Sequence, residues 1–168
     1  LGKLNGILNS LAYDNPNERI SLSTSELIND TLEILEFQIS NEDIRIIREI
    51  PEDNIRISGS KSLLRHVLLN LLLNARDAMP NGGSITIGVQ LINNKKVAIY
   101  VADTGEGIPE TEFNTIFEPH FSNKTGSKKL ALSLYMTKHI IEEHKGKITL
   151  TSELGKGSTF RIILPVLR

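Results

Sequence analysis

Residues 62–79, SLLRHVLLNLLLNARDAM, constrain this chain more than any other stretch. They are long enough for about five helical turns. Leu63, Leu64, Val67, Leu68, Leu71, Leu72 and Ala75 recur at the spacing of one apolar helical face. Leu69 and Leu73 widen that face until the segment is nearly apolar all round, the pattern of a helix buried in a core. Asn70, Asn74 and Asp77 interrupt it at offsets of four and three residues, so they lie on one stripe. A buried amide or carboxylate without a partner costs roughly 1–3 kcal/mol, so three in register are expected to bind something. Two partners stay open: a ligand, or neighbouring backbone and ordered water.

The 168 residues suit one domain able to bury a sizeable core, and 39% hydrophobic with 23% charged residues is an ordinary globular balance. A net charge of −1 makes no electrostatic case for nucleic acid or for direct contact with an anionic membrane. The absence of cysteine excludes disulfides, thiolate metal sites and a cysteine nucleophile, and suits a reducing, cytoplasmic setting. No apolar run approaches the ~18 residues of a membrane span and no signal peptide is visible. A start at Leu1 rather than Met reads as a piece of a longer protein, which could itself be membrane-attached.

Leu1, Leu4, Leu8 and Leu11 have helical spacing, so residues 1–14 read as the end of a helix that packs on something outside this chain. Residues 15–22 read as a linker and 23–168 as the main domain. Ser23, with Glu26 three residues on, is a capping-box candidate for a helix running to Ser40. Short strands are expected over 45–50 and 54–58, then the 62–79 helix, then strands over 84–92 and 97–102. A short helix or irregular segment follows over 113–121, a third main helix over 130–143, and strands over 148–151 and 159–164. Interleaved helices and tightly turned strands imply an α+β fold: a two-layer α/β sandwich with a mixed, mostly antiparallel sheet against three main helices.

Asp103-x-Gly105-x-Gly107 ends the second long strand. A carboxylate there can accept a hydrogen bond from an exocyclic amine, while the glycines let backbone approach a flat ring. Taken alone, the same pattern reads equally as an acidic β-turn. Asp103, Glu106 and Glu110 lack the ligand ladder of a calcium loop. His66, His120, His139 and His144 show no metal-ligand spacing, and Ser122, Ser127 and Ser133 have no nucleophile-elbow context. Lys124, Lys128 and Lys129 cluster in a polar stretch that reads as a solvated loop or as a phosphate-facing lid.

In this order, the segments resemble the catalytic, ATP-binding domain of bacterial sensor histidine kinases, in the GHKL (Bergerat-fold) ATPase superfamily. HVLLNLLLNARDAM is similar to the family's N box, in its nitrogen-regulation form, and VADTGEGIP to its first glycine box. IFEPHFSNKTG is similar to the F box and GKGSTFRIILP to the closing strand. The resemblance implies that ATP or ADP lies between the helical layer and a lid. Asn74 would hold Mg²⁺, and Asn70 would meet the metal shell or phosphates near the superfamily's general-base position. Asp77 would line the nucleotide's edge, Asp103 would bond the adenine amine, and Thr159 would support Asp103. Gly105, Gly107 and Ile108 would shape the base pocket with Leu130 and Leu132, and Lys124 would reach the phosphates. It further implies a homodimerising hairpin carrying the phosphoacceptor histidine, of which residues 1–14 would be the end, and a response-regulator receiver domain as partner.

The second glycine box departs from the family pattern, because Ser127, Lys129 and Ala131 stand where glycines are usual. If those positions needed φ > 0, each Cβ would cost roughly 1–2 kcal/mol, so the departure is expected to act on lid closure and γ-phosphate positioning. The leading expectation is a protein-histidine kinase domain that passes the γ-phosphate of ATP to a histidine on the hairpin, for relay to a regulator. The alternative is a docking or regulatory module whose altered lid makes ATP binding weak or unproductive. A further superfamily reading, a DNA-repair or topoisomerase ATPase, is disfavoured because those carry a glutamate base where this chain has Asn70.

Overall fold

The computed structural model describes residues 15–119 and 128–167, and the side chains of all of these but residues 128–133. The elements are β1 (Ile20–Ser23), α1 (Thr24–Gln38), β2 (Ile44–Glu49), β3 (Arg56–Gly59), α2 (Lys61–Asp77), β4 (Gly83–Asn93), β5 (Lys96–Asp103), a 3₁₀ turn (Glu110–Glu112), α3 (Lys128–Glu143), β6 (Lys147–Glu153) and β7 (Gly157–Pro165). Five strands form one sheet in the order β2-β4-β5-β7-β6, parallel between β2 and β4 and antiparallel elsewhere. The three helices pack on one face of it, the expected two-layer α+β sandwich. The helix expected over residues 1–13 lies outside the described residues.

Period-two alternation places Ile85, Ile87 and Val89 of β4, Val97, Ile99 and Val101 of β5, and Phe160, Ile162 and Leu164 of β7 in the core under the helices. Across the other layer, α2 contributes Leu64, Val67, Leu68, Leu71, Leu72 and Ala75. Leu69 and Leu73 are half-buried, so α2 is less enclosed than its composition suggests. Arg65 is the charged exception on its buried face. Ser60 caps α2, its hydroxyl accepting the Leu63 N–H at 3.3 Å. Ser23 caps α1 in the way the capping-box pattern predicts, its Oγ accepting the Glu26 N–H at 3.3 Å.

Two features differ from the sequence expectation. Residues 20–23, taken mostly as linker, form β1 and pair antiparallel with β3 in a separate two-stranded sheet. Their partner lies more than thirty residues away, and local pattern carries no trace of such a pairing. Second, residues 128–133, where glycines are replaced, are the first turns of α3. Their backbone is helical, so the positive-φ penalty does not arise at Lys129 or Ala131. Leu134, Thr137, Ile140 and Ile141 face the core from α3, whereas Met136 is 41% exposed.

The C-terminal end of α3 is tied to the start of α2. Buried His144 donates from Nδ1 to the Ile140 carbonyl at 2.7 Å and accepts the Ser60 N–H at Nε2, 3.1 Å away. Arg19 also meets Nε2. Burial, and then the Arg19 charge, pull this imidazole below the ordinary histidine range, against the Ile140 bond and Glu143.

Candidate nucleotide site

The polar stripe of α2 sits where its spacing predicts, with Asn70 and Asn74 half-buried and Asp77 exposed. His66, one turn before Asn70, belongs to the same stripe: its Nε2 lies 3.2 Å from Asn70 Nδ2. Sequence reasoning set this histidine aside, although its four-residue offset from Asn70 was the available signal. The Nδ2 of Asn74 is buried and has no hydrogen-bond partner among the described residues. Such a donor is costly unless a ligand completes it. Asp77 is held by Arg76, whose Nε and Nη2 donate to its Oδ1 at 2.9 and 2.8 Å. Both border an open cleft of ≈ 830 Å³ that also touches Asp43 and Met79.

The glycine turn docks directly beyond this stripe. The Glu106 N–H donates to the Ala78 carbonyl at 3.1 Å, and a Cβ on Gly105 would lie 2.4 Å from that same oxygen. Gly107 has φ +74, and a Cβ there would meet the Glu153 carbonyl at 2.2 Å. Both glycines are therefore required by close backbone approach. The turn is fastened to the β6–β7 hairpin by Gly155 N–H to Glu106 O at 2.8 Å and by Ile108 N–H to Ser152 Oγ at 2.8 Å.

Asp103 ends β5 on the helix-covered face and is 9% exposed. Its Oδ1 accepts the N–H groups of Gly105 at 2.8 Å and Ser158 at 3.3 Å. Burial raises this carboxyl above the ordinary carboxylate value, the two N–H donors pull it down, and the Glu106 charge adds to the rise. With Oδ1 engaged by these donors, Oδ2 is the oxygen available to a ligand amine.

Thr159 is not the residue of β7 that supports Asp103. It pairs with Ala102 and lies on the opposite face of the sheet, beside Tyr100 and Arg161. Ser158, one position earlier, is buried and donates to Asp103. A one-residue offset reverses the face of a strand, and the sequence did not settle the register here. On that opposite face Gly88 makes room for Tyr100 to reach Glu49, its would-be Cβ lying 2.3 Å from the Tyr100 ring. Burial, with the Glu49 bond and charge, pushes the Tyr100 hydroxyl up to about 12.

The structure thus docks the Gly105–Glu106 turn, which follows Asp103 at the end of β5, on Ala78 at the C-terminal end of α2, the helix that carries Asn70, Asn74 and Asp77; this is the α2–β5 junction. Lys124 lies outside the described residues, as do the side chains of Leu130 and Leu132.

A two-layer sandwich with this junction defines a class of ATPases, and the comparison with known families agrees. Residues 59–168 match the family described as "Histidine kinase-, DNA gyrase B-, and HSP90-like ATPase", to which the chain belongs. Within it, the similarity is to sensor kinases. The "Adaptive-response sensory kinase SasA" of Synechocystis sp. is 36% identical over 151 residues, covering 88% of this chain and 39% of that protein. "Sporulation kinase A" of Bacillus subtilis is 37% identical over 144 residues, covering 86% of this chain and 23% of that protein. The nucleotide-free catalytic domain of histidine kinase ThkA superposes with a TM-score of 0.76 at 31% identity, covering 88% of this chain and 97% of that one. The chain is the catalytic, ATP-binding domain of a sensor histidine kinase, and it spans less than two fifths of the length of these two curated relatives. Among the described residues no helix is long and apolar enough to cross a membrane.

Proposed function

We propose that this domain binds Mg-ATP at the α2–β5 junction and presents the γ-phosphate to a histidine on a dimerising hairpin, for relay to a response-regulator receiver domain. The observation that supports it is the docking of the Asp103–Gly107 turn on Ala78, at the C-terminal end of the helix that carries Asn70 and Asn74. Oδ2 of Asp103 accepts the exocyclic amine of adenine, and Gly105, Gly107 and Ile108 form the wall beside the ring. The residues fit a phosphate–metal group at the other end: the orphaned Nδ2 of Asn74 suits a phosphate oxygen, and its Oδ1 suits Mg²⁺. Asn70 orients the same end from one turn earlier and Asp77 borders the edge; the family resemblance assigns Lys124, Leu130 and Leu132, which lie outside the described side chains, to the lid side.

ATP supplies the phosphoryl group and the metal screens its charge; this chain's residues bind, orient and exclude water. The helical start of α3 removes, at Lys129 and Ala131, the backbone penalty that favoured a purely docking module. Incubating a chain that includes the hairpin with γ-labelled ATP and Mg²⁺ tests the reading. Acid-labile, alkali-stable label that disappears in Asn74→Ala is expected, and an unlabelled protein that still binds ATP would leave the docking role instead.

A further inference from the structure

We propose that Ser152 is a positioning residue for nucleotide recognition, one hydroxyl that locks the base-pocket turn to the β6–β7 hairpin and steadies the residue that orients Asp103. The role rests on the nucleotide-site reading above and adds a residue that touches neither base nor phosphate.

Ser152 lies on β6 opposite Ser158 of β7. Its Oγ donates to the Gly157 carbonyl at 2.8 Å and accepts the Ile108 N–H at 2.8 Å. A hydroxyl has one proton and two lone pairs, so the remaining contact, Ser158 Oγ at 2.9 Å, has Ser158 as donor. The hydroxyl's full capacity is used, and its three partners are the segments that shape the base end. Ile108 follows the Gly107 turn. Ser158 gives its N–H to Asp103 Oδ1 at 3.3 Å. Gly157, at φ +111, presses on the Asp103 backbone so closely that a Cβ would stand 1.9 Å from its carbonyl oxygen.

Among the described residues no other group at this junction links all three. Gly155 holds Glu106 but not Ile108, and the second donor to Asp103, Gly105, belongs to the turn itself. Removing the hydroxyl leaves the Ile108 N–H and the Ser158 O–H without their acceptor and frees the turn to shift against Asp103. The site is half-buried, so threonine retains the hydroxyl without filling a closed core position.

The test titrates the 168-residue chain and its Ser152→Ala and Ser152→Thr forms with ADP and with a non-hydrolysable ATP analogue, and follows amide exchange at Ile108. Ser152→Ala is expected to bind both nucleotides about tenfold more weakly, by the same factor, because the lost bonds serve the base end. Its Mg²⁺ dependence should be unchanged, Ile108 exchange should quicken, and Ser152→Thr should recover affinity to within about twofold. A plain structural staple would not give that equal factor with threonine rescue. Should Ser152→Ala fail to unfold cooperatively, Ser158→Ala carries the test, with an equal loss of about threefold for both ligands expected. Wild-type affinity in the alanine forms, or a loss confined to the triphosphate, would overturn the role alone. Failure of the unaltered chain to bind either nucleotide would overturn the site reading and this role together.

Discussion

The two ends of the nucleotide site are built on different terms. At the base end the protein satisfies itself: Asp103 Oδ1 takes two backbone N–H groups, the glycine turn is bonded to Ala78 and to the β6–β7 hairpin, and Ser152 uses its full hydrogen-bonding capacity. At the phosphate end it does not. Among the described residues Asn74 keeps a buried, unpartnered Nδ2, Asn70 meets only an exposed histidine, and Asp77 is exposed beside Arg76. On the proposed nucleotide reading, recognition of the base would therefore be built into the fold, whereas the phosphate end would be completed by what binds there.

Breaking the rigid end should cost most. Gly157→Val places side-chain atoms against the Asp103 carbonyl at a φ of +111, and urea unfolding should show a loss of about 3 kcal/mol or more. Asp103→Ala should leave the fold intact and weaken nucleotide binding on the order of a hundredfold, as read by calorimetry. The raised pKa of Asp103 adds a pH signature. The folded apo chain takes up that proton at higher pH than the unfolded chain, so this carboxyl favours the apo fold as pH falls. The amine of the base needs the carboxylate, so affinity should drop over the same range, and Asp103→Asn should flatten that profile.

His144 responds in the opposite sense. Its folded pKa lies below the ordinary 6.5, so its contribution is present above that value and lost as pH falls towards the folded pKa, when the Ser60 N–H loses its acceptor. The melting temperature should fall by several degrees in acid, and His144→Gln should reduce that pH dependence. Smallest of all, His66→Ala at the open end should change affinity by no more than about twofold, because its bond to Asn70 is exposed.

Much of this architecture was legible because it is periodic. The 3.6-residue pattern located α2 to within two residues and put Asn70, Asn74 and Asp77 on one stripe, and strict alternation identified β4 and β5. What escaped depends on contacts distant in sequence. β1 has only four residues, too short for its Ile20-Ser21-Leu22-Ser23 alternation to mark a strand, and exists because Arg56–Gly59 pairs with it. The parallel β2–β4 pair is separated by the whole of α2, so no turn signal announces it. Ser158 and Thr159 differ by one position in a strand, which decides the face but is invisible without register. Ser152 looks like any strand serine until the hairpin folds and surrounds it with three partners.

The most direct test of the contrast between the two ends is calorimetric titration of the chain with ADP, with and without Mg²⁺, in wild type, Asn74→Ala and Asp103→Ala. The account predicts that Asp103→Ala loses affinity equally in both conditions. Asn74→Ala should keep the Mg-free affinity within a few fold and lose the gain that Mg²⁺ brings. If the two substitutions instead fail alike, or Mg²⁺ makes no difference to the wild type, the division into a preformed base end and a ligand-completed phosphate end is contradicted.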